Sequence, residues 1–592
     1  MKNYILYLLL VLSAVPVLAQ RSTTITATSI SLRGKPLYPE GFSNFAYVNP
    51  NAPKGGSLVL DATGTYDNFN RYASRGYCVD GSEYFYDTLM RGSSDELFTY
   101  YPLIAERIEY AADYSFIIFS INKAARDQEG FPITAEDVKF SFDTFMTQGV
   151  PQFRLYYEGI RATVQDAYRV RFDLSSGGDK EKMMDICGLT IIPKRFWQNR
   201  NFSEPLLTPP LGTGVYRVSD YKMGQYVTLE RVKNYWAADL PVNKGQFNFD
   251  TIHYDYYRDQ TVAFEAFKSG EYDFREENVA SNWATQYTGK LFTNGQIIKK
   301  EVPHDRPQSM QAFVFNTERP VFQDRRVRQA LNYFLDFEWM NKNLFYNQYS
   351  RTRSYFQNTP YEAKGLPTRE EIAVLNPIRD KIPPEAFTTE YQPPVTDGSG
   401  NITALARRAL ALLSAAGWDL KGGKMINKTT GAQMQFELLI YDSSTERIAI
   451  PLQRNFERYG ITMNIRLIDS SQFVNRLRSH DFDLIAHGYS ANPYPSSSLL
   501  TSWHSAYIDS TWNTAGVQDP AVDYLVEGIQ NLQENEEALL TWGHALDRVL
   551  TWNFYVIPQW HISKFRLAYK SKFGMPDRRP RYDIGLDTWW VK

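Results

Sequence analysis

Cysteine is nearly missing from this chain: Cys78 and Cys187 are the only two in 592 residues. Two thiols are too few for a disulfide scaffold or a cysteine-rich zinc site. An oxidising compartment permits one bond between them, and a pair of buried free thiols is the alternative. Histidine is scarce as well, with seven scattered copies and no H-E-x-x-H or other paired ligand spacing. Charge of one sign is absent: 64 Lys and Arg stand against 66 Asp and Glu, a formal net charge of −2. That balance gives none of the basic field a nucleic-acid binder carries. Beyond the N-terminus no run of about eighteen apolar residues occurs, the length a membrane-spanning helix needs. Low-complexity tracts, heptads and fixed-period repeats are missing too.

Catalytic signatures are equally absent. Gly41-Phe-Ser-Asn44 begins a nucleophile elbow but has Phe45 where the second glycine belongs. No phosphate-binding G-x-x-x-x-G-K-[ST] loop exists, and Gly212-Thr-Gly214 lacks the third glycine of a dinucleotide fingerprint. Carboxylate pairs such as Asp481 and Asp483 are ordinary in a chain of this size, and spacing alone does not make them acid and base. The expectation is a protein that is not an enzyme and uses no cofactor or metal. A secreted hydrolase is the alternative of a different class, and it would need a nucleophile, base and orienting group converging in one cleft.

What is present begins with an export signal. Lys2 supplies the positive end, Ile5 to Val15 the apolar segment, and Val17-Leu18-Ala19 a small-residue cleavage site. Cleavage is expected after Ala19. No cysteine follows it, which disfavours a lipid anchor, so the mature chain is expected in the periplasm. The remaining length exceeds what one hydrophobic core organises and implies several domains. The 40 Tyr, 36 Phe and 12 Trp suit cores, and tyrosine in excess also suits wet contact surfaces.

Hydrophobic periodicity is mixed α/β throughout. Thr134-Ala-Glu-Asp137 opens a helix bearing Val138, Phe142 and Phe145 on one face. Asp324 caps a second, with Val327, Leu331, Phe334 and Leu335 as its apolar face. Leu405, Ala409, Leu412, Leu413 and Ala416 mark a third, stopped by Gly417, and Leu539, Trp542, Leu546, Val549 and Leu550 a fourth. Alternation predicts strands at 226–232, 252–257, 435–440 and 463–468. Breaks are expected at 205–214, 301–307 and 377–400, the last reading as a polar surface excursion. The stretch 482–503 (FDLIAHGYSANPYPSSSLLTSW) reads as a short strand over 482–485 running into a loop of tyrosines, Asn492, prolines and serines. Apolar faces beside neutral hydrogen-bonding groups are what a site for an amphipathic ligand needs.

Four blocks, in order, carry a resemblance. They are 132–142 (PITAEDVKFSF); 212–217 (GTGVYR) with the following strand and Asn234-Tyr-Trp236; 263–273 (AFEAFKSGEYD); and 322–331 (FQDRRVRQAL). Together they resemble the family 5 extracellular solute-binding proteins, of the peptide and nickel type. Further blocks at 47–56 (YVNPNAPKGG), 65–73 (TYDNFNRYA), 337–342 (FEWMNK), 545–553 (ALDRVLTWN) and 587–590 (DTWW) are similar to periplasmic receptors within that family. Those receptors serve oligopeptides and the peptide-nucleotide antibiotic microcin C.

The resemblance implies an α/β, two-lobe periplasmic binding protein fold (type II, cluster C), with an extra subdomain in the first lobe and a hinge-flanked ligand cleft. Residues 20–76, 213–303 and 556–592 would form the core of lobe I, 77–212 its extra subdomain and 304–555 lobe II, after a signal peptide at 1–19. The implied function is capture of oligopeptides, modified ones of the microcin C type included, for an inner-membrane ABC permease and its ATPase, by a monomer that binds no nucleic acid. An oligosaccharide or other nonpeptide solute on the same scaffold is the alternative. Resemblance places three segments at the ligand: Arg75, Tyr77, Asp80 and Ser82; Gln152 and Arg154; and Tyr489, Ser490, Asn492 and Tyr494. For Asp80 and Ser82 helix capping is the competing role, for Arg154 a structural ion pair, and for both tyrosines core packing. Asn492 falls where better-known peptide receptors of the family have an aspartate for the peptide ammonium group. A neutral amide loses that charge-assisted bond, which is roughly twice as strong as a neutral one.

Overall fold

The computed structural model describes residues 23–149, 157–175 and 179–592. The expected signal peptide and the candidates Gln152 and Arg154 lie outside the described residues. The described residues fall into two compact units, one within Met1–Phe45, Thr65–Ser93 and Phe98–Lys244, the other within Ala46–Gly64, Ser94–Leu97 and Gly245–Lys592.

The first unit is built on a five-stranded antiparallel sheet ordered Thr24–Ala27, Ala105–Ala111, Phe116–Ile121, Arg169–Leu174, Ile160–Asp166. Arg169–Leu174 shows why the sheet forms. Val170, Phe172 and Leu174 alternate with Arg169, Arg171 and Asp173, so one face is buried and the other stays wet. The helix Ala135–Gln148 starts where expected: the Asp137 carboxylate accepts from the Thr134 backbone N–H at 2.9 Å and from its hydroxyl at 3.0 Å. Val138, Phe142 and Phe145 are buried, and the Phe142 ring meets that of Phe172 edge-on at 5.3 Å.

The cysteines are not bridged. Cys78 and Cys187 are both free thiols, which corrects the disulfide that the compartment permitted. Cys187 is buried on the helix Lys180–Cys187, where its Sγ donates to the Met183 carbonyl at 3.5 Å. Cys78 is hydrogen-bonded with the Ser82 side chain. Burial pushes both thiols above their ordinary pKa, so neither is a reactive thiolate. The same unit buries Asp87. The Tyr235 hydroxyl donates to its two carboxylate oxygens at 2.8 and 2.9 Å, and desolvation raises its pKa to about 7.

The second unit contains a parallel pair, Ser57–Thr63 with Thr251–Tyr257. It also holds a three-stranded antiparallel sheet of Phe274–Glu276, Lys564–Lys570 and Ile297–Pro303. Its largest element is a mixed five-stranded sheet ordered Thr462–Leu467, Gln435–Ile440, Leu484–Tyr489, Met310–Phe315, Val556–Pro558. Both faces of that sheet are covered, and side chains sort by the two-residue period of a strand. Met310, Ala312, Val314, Leu439, Ile485 and Val556 enter one core. Phe313, Phe315, Leu438, Leu484 and Ile557 enter the other. The helices Thr403–Ala415 and Ser443–Glu457 cover the second face, while Pro520–Asn531 and Glu536–Trp552 cover the first.

Three expectations shift. The helix capped by Asp324, whose carboxylate accepts from the Arg326 N–H at 2.8 Å, ends at Asn332. Phe334 and Leu335 therefore lie beyond it, yet they remain fully buried in the same core. The polar segment 377–400 is more than a surface excursion: Ile378, Ile382 and Ala386 pack into the first core. The strand expected at 482–485 instead spans Leu484–Tyr489, because pairing with Met310–Phe315 continues to Met310↔Tyr489.

Candidate functional site

The mixed sheet has a point where its chain exits diverge. Gln435–Ile440 and Leu484–Tyr489 are parallel neighbours. After Ile440 the chain enters Ser443–Glu457, whose Ile448, Ala449, Leu452 and Phe456 join the second core. After Tyr489 it reaches Leu499–Trp503, whose Leu499 and Trp503 join the first. Two adjacent strands leaving toward opposite faces open a crevice at their carboxyl ends, where open α/β sheets hold ligands.

A cavity of ≈ 400 Å³ occupies that crevice. One side is Ala486 to Ser490; the other is Tyr441, Thr445 and Ile448; Ser309, Gln311, Ala312 and Gln559 complete it. Backbone geometry gives the first side its chemistry. Leu484–Tyr489 pairs with Met310–Phe315 along its whole length, but its parallel ladder to Gln435–Ile440 stops at Leu439↔Ile485. Among the described residues, one edge of 486–489 therefore has no strand alongside it. Unpaired strand edges are templates for an added extended chain. Gly488 keeps the wall flat, since a Cβ there would stand 2.5 Å from the Met310 carbonyl oxygen.

Among the described residues, no Asp, Glu, Lys or Arg lines the cavity. His487 faces it, and burial lowers its pKa, so the imidazole is uncharged at neutral pH. Gln559 is only 2% exposed, and its Oε1 is buried with no hydrogen-bond partner. Its backbone N–H donates to the Gln311 carbonyl at 2.8 Å, which fixes its place at the end of the adjoining strand.

Of the residues expected at the ligand, Tyr489 and Ser490 line this cavity. The Tyr489 ring points into the core, stacked on Trp503 at 4.3 Å and edge-on to Tyr355 at 5.6 Å. Its contribution to the wall is backbone. Tyr494 is half-buried against the same core, and Asn492 is half-buried beside it in the chain. Arg75, Tyr77, Asp80 and Ser82 belong to the first unit. There Arg75 pairs with Glu204 on the surface, Tyr77 is 71% exposed, Asp80 is exposed, and Ser82 is buried and bonded to Cys78. Ser309, Gln311, Tyr441, Thr445 and Gln559 escaped the sequence reading. They come from three separate stretches that only the sheet assembles, and no local motif marks them.

Residues 99–510 match the model of the bacterial extracellular solute-binding proteins, family 5. The chain belongs to this family. Two relatives extend the likeness over the rest of it. YejA of Escherichia coli K12 is 50% identical over 562 residues, covering 95% of this chain and 93% of that protein. The Agrobacterium fabrum YejA, described as a probable peptide-binding protein, is 37% identical over 587 residues, covering 97% and 95%. Among solved structures, the oligopeptide-binding protein AppA from Bacillus subtilis, in complex with a nonapeptide, superposes with a TM-score of 0.61 at 19% identity. That superposition covers 92% of this chain and 100% of AppA. The fold is thus the α/β two-lobe binding-protein fold that the sequence implied. As a member of family 5 the protein binds a solute and is not an enzyme. Among the described residues, no helix is long and apolar enough to cross a membrane.

Proposed function

We propose that this protein captures oligopeptides in the periplasm and delivers them to an inner-membrane ABC permease driven by its ATPase. The observation that carries this reading is the open edge of 486–489 beside the neutral cavity. Main-chain pairing gives affinity that does not depend on side-chain identity, which suits a carrier of varied peptides. An oligosaccharide or other nonpeptide solute is the second reading, favoured by the uncharged lining and by Tyr441, which is 54% exposed on the other side of the cavity.

With no ionised side chain among the described residues that line the cavity, the segment seated there is uncharged: peptide interior or a blocked end. This agrees with the amide at Asn492, and it accommodates modified peptides of the microcin C type. Arg75, Tyr77, Asp80, Ser82, Gln152 and Arg154 join the proposal as further contacts on the strength of the resemblance alone. So do the lobe limits 20–76, 213–303 and 556–592, 77–212 and 304–555, the monomeric state, and export with cleavage after Ala19.

Calorimetry with matched peptide pools, amino-terminally free and acetylated, tests the reading. Both pools are expected to bind, with affinities within about threefold, or roughly 0.7 kcal/mol. Binding of sugars but not peptides, or release of cleaved peptide, would refute it. A hundredfold preference for the free amine would refute the neutral seat while leaving peptide capture intact.

A further inference from the structure

Six of the seven histidines are held by partners within the chain. His253, His480, His504 and His544 each meet a carboxylate, at 3.2, 2.8, 2.9 and 3.0 Å. His561 Nδ1 lies 3.1 Å from the Thr352 hydroxyl, and His304 Nδ1 accepts from the Arg306 N–H at 3.3 Å. His487 is the exception. Among the described residues no hydrogen bond, ion pair or ring contact reaches its imidazole. Neither ring nitrogen is closed off from solvent, and the side chain lines the ≈ 400 Å³ cavity. A ligand seated there can therefore reach both nitrogens.

The strand gives His487 this position. It sits opposite Ala312 and between Ala486 and Gly488, all three too small to cover the ring. Tyr441 and Tyr489 are the only other titratable side chains among the described lining residues, and Tyr489 turns its ring into the core. Asp442, Glu446 and Arg447 stand beside Tyr441 in the chain but do not line the cavity, and the Asp442 carboxylate accepts from the Ser444 N–H at 3.0 Å. No charged group acts on His487, and burial alone lowers its pKa.

A neutral imidazole carries one N–H donor and one acceptor nitrogen, which match the carbonyl and N–H of a peptide group. An imidazolium carries two donors and a positive charge, which match a carboxylate. One side chain thus gives the cavity two chemical states. Both disfavour an ammonium group, the first for want of a counter-charge and the second by repulsion.

We propose that His487 is the specificity-determining side chain of this cavity: as neutral imidazole it takes an uncharged peptide segment, and by taking up a proton from solvent it takes a carboxylate-bearing one. The proposal rests on reading the cavity as the seat of a peptide. It adds acidic peptides as a second ligand class, admitted as the pH falls.

The test is calorimetry on the full mature chain with acetylated, amidated peptide sets. One set has Gln at every variable position; the other places Glu at each position in turn. Binding is measured at pH 7.5 and 5.5, where glutamate is ionised throughout, in buffers of different ionisation heat so that proton uptake is counted. At pH 7.5, Glu at the seated position is expected to weaken binding about tenfold, or 1.4 kcal/mol. At pH 5.5 that penalty should shrink to within about threefold, or 0.7 kcal/mol, with a proton taken up on binding. His487→Gln, which cannot take up the proton, should show the same penalty at both pH values and no uptake. A wild-type penalty that ignores pH overturns the proposal, as does a pH response that persists in His487→Gln; either leaves peptide capture standing. Binding of neither set at either pH overturns the peptide reading itself and this proposal with it. Should His487→Gln fail to fold, the proton uptake of the wild type decides.

Discussion

In the antiparallel sheet of the first unit, strands run beside their neighbours for nearly their whole length, as Arg169–Leu174 does against both Phe116–Ile121 and Ile160–Asp166. In the mixed sheet of the second unit, Leu484–Tyr489 is fully paired on one side and meets its parallel neighbour at only Leu438↔Leu484 and Leu439↔Ile485 on the other. The two sheets use the same apolar alternation, yet one satisfies its backbone internally while the other leaves part of a strand for something else to satisfy. The proposed ligand capture belongs to the second kind of sheet, because buried backbone groups demand partners and an incomplete ladder supplies a place for them.

The largest expected effect separates the sheets by core substitutions. Phe172→Ala in the first unit and Trp503→Ala in the second should each cost about 3–5 kcal/mol in chemical denaturation. Only Trp503→Ala should also weaken peptide binding of the folded protein, since Trp503 stacks on Tyr489 at the end of the open wall. Equal loss of affinity in both variants would break the comparison.

A second contrast is electrostatic. The first unit holds Asp87 with its pKa raised to about 7, against 3.8 for a free aspartate side chain. Between those values the folded state keeps a proton that the unfolded chain has released, so stability falls as pH rises from about 4 to about 7 and levels off above. The drop should be of order 2–4 kcal/mol. Asp87→Asn should remove this component, seen as a wild-type minus variant difference in urea midpoints across that range. A flat difference would show that Asp87 is ionised in the fold.

The smallest effect probes the wall itself. Gly488→Val places a Cβ 2.5 Å from the Met310 carbonyl oxygen, which must push the two strands apart. Peptide affinity should fall 10- to 100-fold, about 1.4–2.8 kcal/mol, with the unfolding midpoint changed less than in Trp503→Ala. Unaltered affinity would mean that the edge at 486–489 does not receive the ligand.

Much of the fold is legible locally. Val138, Phe142 and Phe145 announce a helix because their spacing puts them on one face, and Asp137 closes its start. Asp324 marks a helix start through its carboxylate, but the apolar pattern overran the helix end at Asn332. Phe334 and Leu335 are buried by tertiary packing, and periodicity alone does not distinguish that from a helical face. The same limitation shortened the strand at 484–489: Ala486, His487 and Gly488 have weak strand propensity, and pairing with Met310–Phe315 overrides it. Tyr489 and Ser490 were legible as residues that line the cavity. Gln559 and Gln311 were not, because a glutamine at a strand end carries no signal until a neighbouring strand brings it to a cavity. The cysteines illustrate the opposite case: composition permitted a bond, and Cys187 instead turned its thiol toward the Met183 carbonyl of its own helix.

By itself the sequence determined the family and the mixed α/β character, since these rest on residue types and spacings that act over a few turns of chain. Tertiary structure alone decided where the ladder stops, that the Tyr489 ring faces the core, and that no charged side chain among the described residues lines the cavity. Each of those depends on which distant segment lies alongside, and hydrogen bonds and burial exist only once that neighbour is in place.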